Sequence, residues 1–218
     1  MGVRRIRKRA RKGRIKRRKG RSVTPPTNDP PNDPHWRKYL RTAWAPSYFV
    51  TTRLLNAREL IRGVELGVAS GWHADQILLR CPRAEVIGID AYHPTTAMTL
   101  QRKYTAEQHN ATMMKMLQLL QPHGTRFQFI RQTTVDAAAL VTGPFDWIYV
   151  DASHDKVSVA ADLEAWAPKL RPGGLLMGHD YGCRRHTGVK LAVDAFVAAR
   201  GLHLGGIERS VWWLDLGD

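Results

Sequence analysis

Four short segments of the chain gather the residue types that do chemistry. In the first, Glu65-Leu66-Gly67-Val68-Ala69-Ser70-Gly71, a carboxylate precedes two glycines. Glycines let a backbone approach a ligand closely and adopt positive φ. The segment matches neither the GxGxxG dinucleotide fingerprint nor the GxxxxGK phosphate loop. The second segment, EVIGID, ends in Asp90, nineteen residues after Gly71. A carboxylate there can accept both hydroxyls of a ribose. A glycine loop without a phosphate fingerprint, followed by a ribose-reading acid, suits a nucleoside cofactor lacking phosphates, and S-adenosylmethionine is one. The third segment, FDWIYVDASHD, carries Asp151 and His154; the fourth, LLMGHDY, carries His179 and Asp180. If the strands bearing them are adjacent, their ends lie about 4.8 Å apart and share one site. Carboxylates and imidazoles gathered there could hold a divalent cation, with a further imidazole acting as a base.

Each residue alone also has a structural reading. Gly67 and Gly71 permit a tight strand–helix turn, Asp90 caps a helix, and Glu65 makes a hydrogen bond inside a strand. Asp151 and Asp180 cap the segments that follow them. Trp72, His73 and Tyr92 read as packing residues, and Met113, Met114 and Met116 as helix core.

The elements that must position these residues alternate. Strands are predicted at Val64–Val68, Glu85–Asp90, Arg126–Arg131, Phe145–Val150, Leu175–Gly178 and Val211–Leu216. Helical stretches are predicted at Trp72–Arg80, roughly Thr95–Leu120, Val135–Val141, Val157–Ala167 and Val189–Ala199. Pro172-Gly173-Gly174 reads as a turn into the fifth strand, and Trp212-Trp213 as a terminal strand with one ring on each face. Such alternation predicts a parallel sheet covered by helices on both faces. Ligands bind such sheets beyond the carboxyl ends of the strands, where all four segments fall.

VELGVASG, VIGIDAY, FDWIYVDASHD and LRPGGLLMGHDY together resemble the class I S-adenosylmethionine-dependent methyltransferases, in that family's order and spacing over roughly residues 60–216. The branch most resembled contains metal-dependent small-molecule and sugar O-methyltransferases. The resemblance implies an α/β, Rossmann-like, doubly wound, mostly parallel seven-stranded sheet. It implies that Glu65, Gly67 and Gly71 surround the methionine part of S-adenosylmethionine, that Asp90 holds the ribose, and that Thr133, in Gln132-Thr133-Thr134, stands near the adenine. Asp151, His179 and Asp180 fall on the family's metal positions, for Mg²⁺ or Mn²⁺, and His154 on its general base. His179 departs from the oxygen donor usual there. Nitrogen ligation shifts preference from Mg²⁺ towards Mn²⁺, Fe²⁺ or Zn²⁺. Neighbouring residues in a strand face opposite sides, so His179 and Asp180 can both ligate only where the strand has ended.

Charge separates the chain into zones. Of 34 Lys and Arg, 13 lie in residues 1–21, which contain no acid, so the remainder is nearly neutral. Residues 1–24 are expected to be a basic, disordered tail. Residues 25–46 are a proline-rich linker and lead-in, and residues 47–218 the methyltransferase domain. The tail is a footprint for nonspecific nucleic acid. It keeps open an RNA- or ribosome-directed methyltransferase, or a noncatalytic nucleic-acid-binding protein. Against base modification, no NPPY- or DPPY-like motif occurs. No apolar run approaches the ~18 residues of a membrane span, so no membrane partner is expected. Two cysteines, 102 positions apart, exclude a disulfide scaffold and fit the cytoplasm. The expected partner is a small-molecule methyl acceptor.

Overall fold

Strands rich in apolar residues build the centre of the molecule, as the computed structural model shows for the described residues, 47–93 and 104–216. All of these lie in the unit His35–Asp218. The expectations for the tail and linker, and for the start of the 95–120 helix, fall outside the described residues. The strands are β1 (Arg62–Leu66), β2 (Glu85–Ile89), β3 (Phe127–Ile130), β4 (Phe145–Val150), β5 (Leu170–Gly178), β6 (Gly206–Glu208) and β7 (Val211–Asp215). They form one seven-stranded sheet in the order β3-β2-β1-β4-β5-β7-β6. The first five in that order are parallel, and β7 runs antiparallel to both β5 and β6. The order reverses between β1 and β4, so the switch point lies beyond Leu66 and Val150.

The helices are α1 (Tyr48–Ala57), α2 (Trp72–Arg80), α3 (Ala106–Leu120), α4 (Thr134–Leu140), α5 (Lys156–Trp166) and α6 (Thr187–Ala199). Because side chains alternate along a strand, β4 sends Ile148 and Val150 to one buried cluster and Trp147 and Tyr149 to the other. Val159, Leu163, Val193 and Phe196 from α5 and α6 complete the first cluster; Leu54, Ile77 and Met116 from α1, α2 and α3 complete the second. Burial on both faces explains the near-continuous apolar runs of the central strands. Trp212 packs in the first cluster and Trp213 against the second, one ring on each face as predicted.

β4 and α2 coincide with their predicted spans, and most other elements begin or end within two residues of theirs. Three differences have physical causes. The Pro172-Gly173-Gly174 segment lies inside β5 as an irregularity, because the pairing slips from Phe145↔Leu170 to Trp147↔Leu175. Within the described residues α3 starts at a capping box, where the Thr105 side chain accepts from Gln108 N–H and the Gln108 side chain accepts from Thr105 N–H. Met116 is fully buried as expected, but Met114 on the outer side of α3 is 61% exposed. The sequence reading assigned no element to α1 or β6; β6 has only three residues and carries no readable period.

One buried acid beneath the sheet makes a pH prediction. Asp162 of α5 is 1% exposed; its Oδ1 accepts from Thr134 Oγ1, and its Oδ2 has no partner. Burial pushes its carboxyl up to about 7 against the help of Thr134. A raised acid favours the protonated native state, so stability falls as pH rises from about 4 through about 7. Asp162→Asn is expected to match the parent near pH 4 and exceed it above pH 7 in urea unfolding. A gap that does not change with pH contradicts the assignment.

Candidate active site

The loop after β1 folds around glycine and Asp90. Gly67 has φ 90° and Gly71, the N-cap of α2, has φ 79°. A Cβ on Gly67 would stand 2.3 Å from the Asp151 carbonyl oxygen, so this loop and the one after β4 meet only because residue 67 has no side chain. Asp90 is 6% exposed; its Oδ2 accepts from Ala69 N–H and its Oδ1 from Tyr92 N–H, both at 2.9 Å. Burial raises its carboxyl above the ordinary range, and those backbone donors oppose the rise. Each oxygen keeps a further lone pair for a ligand hydroxyl.

Glu65 is buried on β1. Its Oε1 meets His73 Nδ1 at 3.1 Å, and its Oε2 has no partner. Burial raises this carboxyl too, with His73 opposing. His73 in turn reaches Thr51 Oγ1 of α1 at 3.1 Å and stacks 4.1 Å from the Tyr149 ring. His73 therefore packs, as expected, and also orients Glu65. Beyond the carboxyl ends of β1 to β4 opens a small cleft, lined by Gly67, Asp90, Thr133, Thr134, Ala152 and Ser153 among others. Thr133 borders this cleft, but its hydroxyl caps α4: it accepts from Asp136 N–H and donates to Asp136 Oδ2.

Beyond β4 and β5 the acids and histidines converge. His154 Nε2 donates to Asp180 Oδ2 at 2.9 Å and lies 3.5 Å from Asp151 Oδ1. Ligand atoms of Asp151, His179 and Asp180 all lie within 4.8 Å of one another. The condition for joint ligation is met: β5 ends at Gly178, and Asp180 takes φ 59°. Burial works against a charge on His154, but hydrogen bonds and attraction from Asp151 and Asp180 win and push it up to about 10. Burial raises Asp180 less than His154 and the neighbouring imidazoles lower it, so its carboxyl sits below the ordinary range. Without a cation, then, the two carboxylates hold a proton on His154 at neutral pH.

The structure thus brings Asp151, His154, His179 and Asp180 into one cluster, beside the Gly67 loop. It also adds His186, the N-cap of α6, whose ring lies 4.1 Å from that of His154. Sequence reasoning missed His186 because it stands alone before a helix, outside any motif.

The sequence pattern of Methyltransf_24, a methyltransferase domain, matches residues 64–181, more than half of the chain. The chain belongs to that family. The match begins in β1 and ends just beyond β5, so it spans the whole switch-point side of this methyltransferase domain. No curated protein sequence matches the methyltransferase significantly. Solved structures do match it in fold. The SAH-bound Podospora anserina methyltransferase PaMTH1 superposes with TM-score 0.59 at 16% identity, over 84% of this chain and 86% of that one. TomG, the Streptomyces achromogenes O-methyltransferase involved in tomaymycin synthesis, solved with SAM, gives 0.55 at 15% identity, over 83% and 86%. CalS11, a TDP-rhamnose 3′-O-methyltransferase of calicheamicin biosynthesis, gives 0.56 at 15% identity, over 88% and 90%. At such identities the likeness establishes the Rossmann-like class I methyltransferase fold.

Proposed function

We propose that this methyltransferase domain moves a methyl group from S-adenosylmethionine to a hydroxyl oxygen of a small molecule, with a sugar as the favoured acceptor class. The observation that carries this reading is the meeting of two half-sites at Gly67. A carboxylate-bearing nucleoside cleft lies on the β1–β2 side, and an acid–imidazole cluster on the β4–β5 side.

The residues present fit the cofactor. Glu65 Oε2 is buried and unpartnered, which suits the ammonium of the methionine part. Asp90 retains lone pairs for both ribose hydroxyls, and Thr133 with Thr134 would border the base. S-adenosylmethionine supplies an electrophilic methyl on a sulfonium, which an aligned, deprotonated oxygen displaces in a single SN2 step. The protein's tasks are therefore alignment and proton removal.

The residues also fit a divalent cation held by Asp151, His179 and Asp180, since Asp180 Oδ1 is buried without a hydrogen-bond partner. Such an ion lowers the pKa of a bound hydroxyl. His154 owes its high proton affinity to the two carboxylates. A cation held there would offset that charge, and Nε2 would then be the group placed to take the acceptor's hydroxyl proton. His154 is thus assigned as the base and Asp151 and Asp180 as the groups that set its proton affinity.

Two readings of the acceptor meet in one assay: transfer of labelled methyl to a panel of nucleotide sugars, simple sugars, phenols and RNA, with Mg²⁺ or Mn²⁺. Label recovered as a sugar methyl ether supports the small-molecule reading. Label on RNA that disappears when residues 1–24 are removed supports recruitment by the basic tail, whose 13 cations favour polyanions. Label on RNA that survives truncation, with none on the small molecules, overturns the small-molecule reading.

A further inference from the structure

We infer that His154, Asp180 and His186 form a second cation site, selective for a first-row transition ion over Mg²⁺. Its ligands come from three separate places: the β4–α5 loop, the segment just after β5, and the N-cap of α6. One ligand atom from each lies within 4.8 Å of the other two. The site is enclosed, since Asp180 and His186 are only 5% and 8% exposed. Inside it, His186 Nδ1 is buried and has no hydrogen-bond partner. Buried polar atoms are nearly always satisfied, so an orphaned imidazole nitrogen beside a buried carboxylate and a second imidazole points to a missing ligand. The ring stack between His154 and His186, at 4.1 Å and 35°, is ordinary packing and does not satisfy that nitrogen.

Asp180 faces both sets of ligands. Its Oδ2 meets His154 Nε2 at 2.9 Å, while its Oδ1 lies 3.5 Å from His179 Nδ1. One carboxylate thus turns an oxygen towards each group. The donor set of the second group is two imidazole nitrogens and one carboxylate oxygen. Imidazole suits Zn²⁺, Fe²⁺, Co²⁺ and Ni²⁺, whereas Mg²⁺ demands oxygen and keeps its waters. A transition ion bound here withdraws His154 and Asp180 from methyl transfer, so it inhibits. That consequence rests on the function proposed above; the binding itself does not.

The test is made on the full metal-free chain, with Zn²⁺ and Co²⁺ as probes. X-ray absorption on the adduct with one equivalent of Zn²⁺ should count two imidazoles around the metal. Co²⁺, followed by its visible absorption, should bind at least tenfold more weakly to His186→Ala than to the parent. A parent adduct with one imidazole or none, or no binding at all, overturns the site. So does unchanged Co²⁺ affinity in a folded His186→Ala. Should His186→Ala fail to fold, His179→Ala decides the matter: its Zn²⁺ adduct should still count two imidazoles, and a count of one overturns the site. In the activity arm, Zn²⁺ should inhibit Mg²⁺-supported transfer by the parent and lose that effect in His186→Ala. Two-imidazole binding without inhibition upholds the site and removes His154 from the proposed chemistry.

Discussion

Asp90→Ala is expected to weaken S-adenosylmethionine binding about a hundredfold or more. Hydrogen bonds to a charged group are each worth about 1.5–3 kcal/mol, and the ribose offers two hydroxyls to this carboxylate. Losing both costs at least ~3 kcal/mol, or roughly two decades in Kd. A second loss adds to the first: Asp90 accepts from the N–H groups of Ala69 and Tyr92, so alanine also loosens the loop that shapes the cleft. Asp90→Asn keeps an oxygen for one of these donors and should fall between the two. Isothermal titration of the folded variants measures all three. An Asp90→Ala protein that binds the cofactor as tightly as the parent would remove Asp90 from the site.

Asp151→Ala, or excess chelator on the parent, should reduce turnover about a thousandfold while cofactor affinity changes far less. General acid–base chemistry is worth about 10²–10⁴-fold, and losing the cation adds the loss of an activated hydroxyl. His154→Ala should lose kcat most near neutral pH and less at high pH, where acceptor hydroxyls ionise more readily. Full turnover in chelator would eliminate the cation. A loss in His154→Ala that is the same at every pH would make His154 a positioning residue.

Much of the fold and half of the site are legible in the chain itself. FDWIYV is β4 without a residue's error, because an apolar run bounded by turn residues leaves little choice. Gly67, Asp90, Asp151 and Asp180 each follow a strand, and strand ends converge once the sheet is parallel. Less legible is anything set by tertiary packing. The link from Glu65 through His73 to Thr51 joins three elements, and no spacing announces it. Asp180 can ligate beside His179 only if its strand has stopped, and its positive φ cannot be read from an Asp-Tyr dipeptide. The proton affinity of His154 is likewise hidden, because it depends on two carboxylates brought from different strands. His186 is the plainest case. Only the placement of α6 against the β4–α5 loop brings it beside His154.

The most direct measurement is the unfolding free energy of the full chain with and without S-adenosylmethionine. A ligand that binds only the folded state at a hundredfold over its Kd adds about 2.7 kcal/mol. That increment is expected for the cofactor and for its demethylated product, with the chain still folded in its absence. Unchanged stability of the folded protein at millimolar cofactor would contradict the account at its centre.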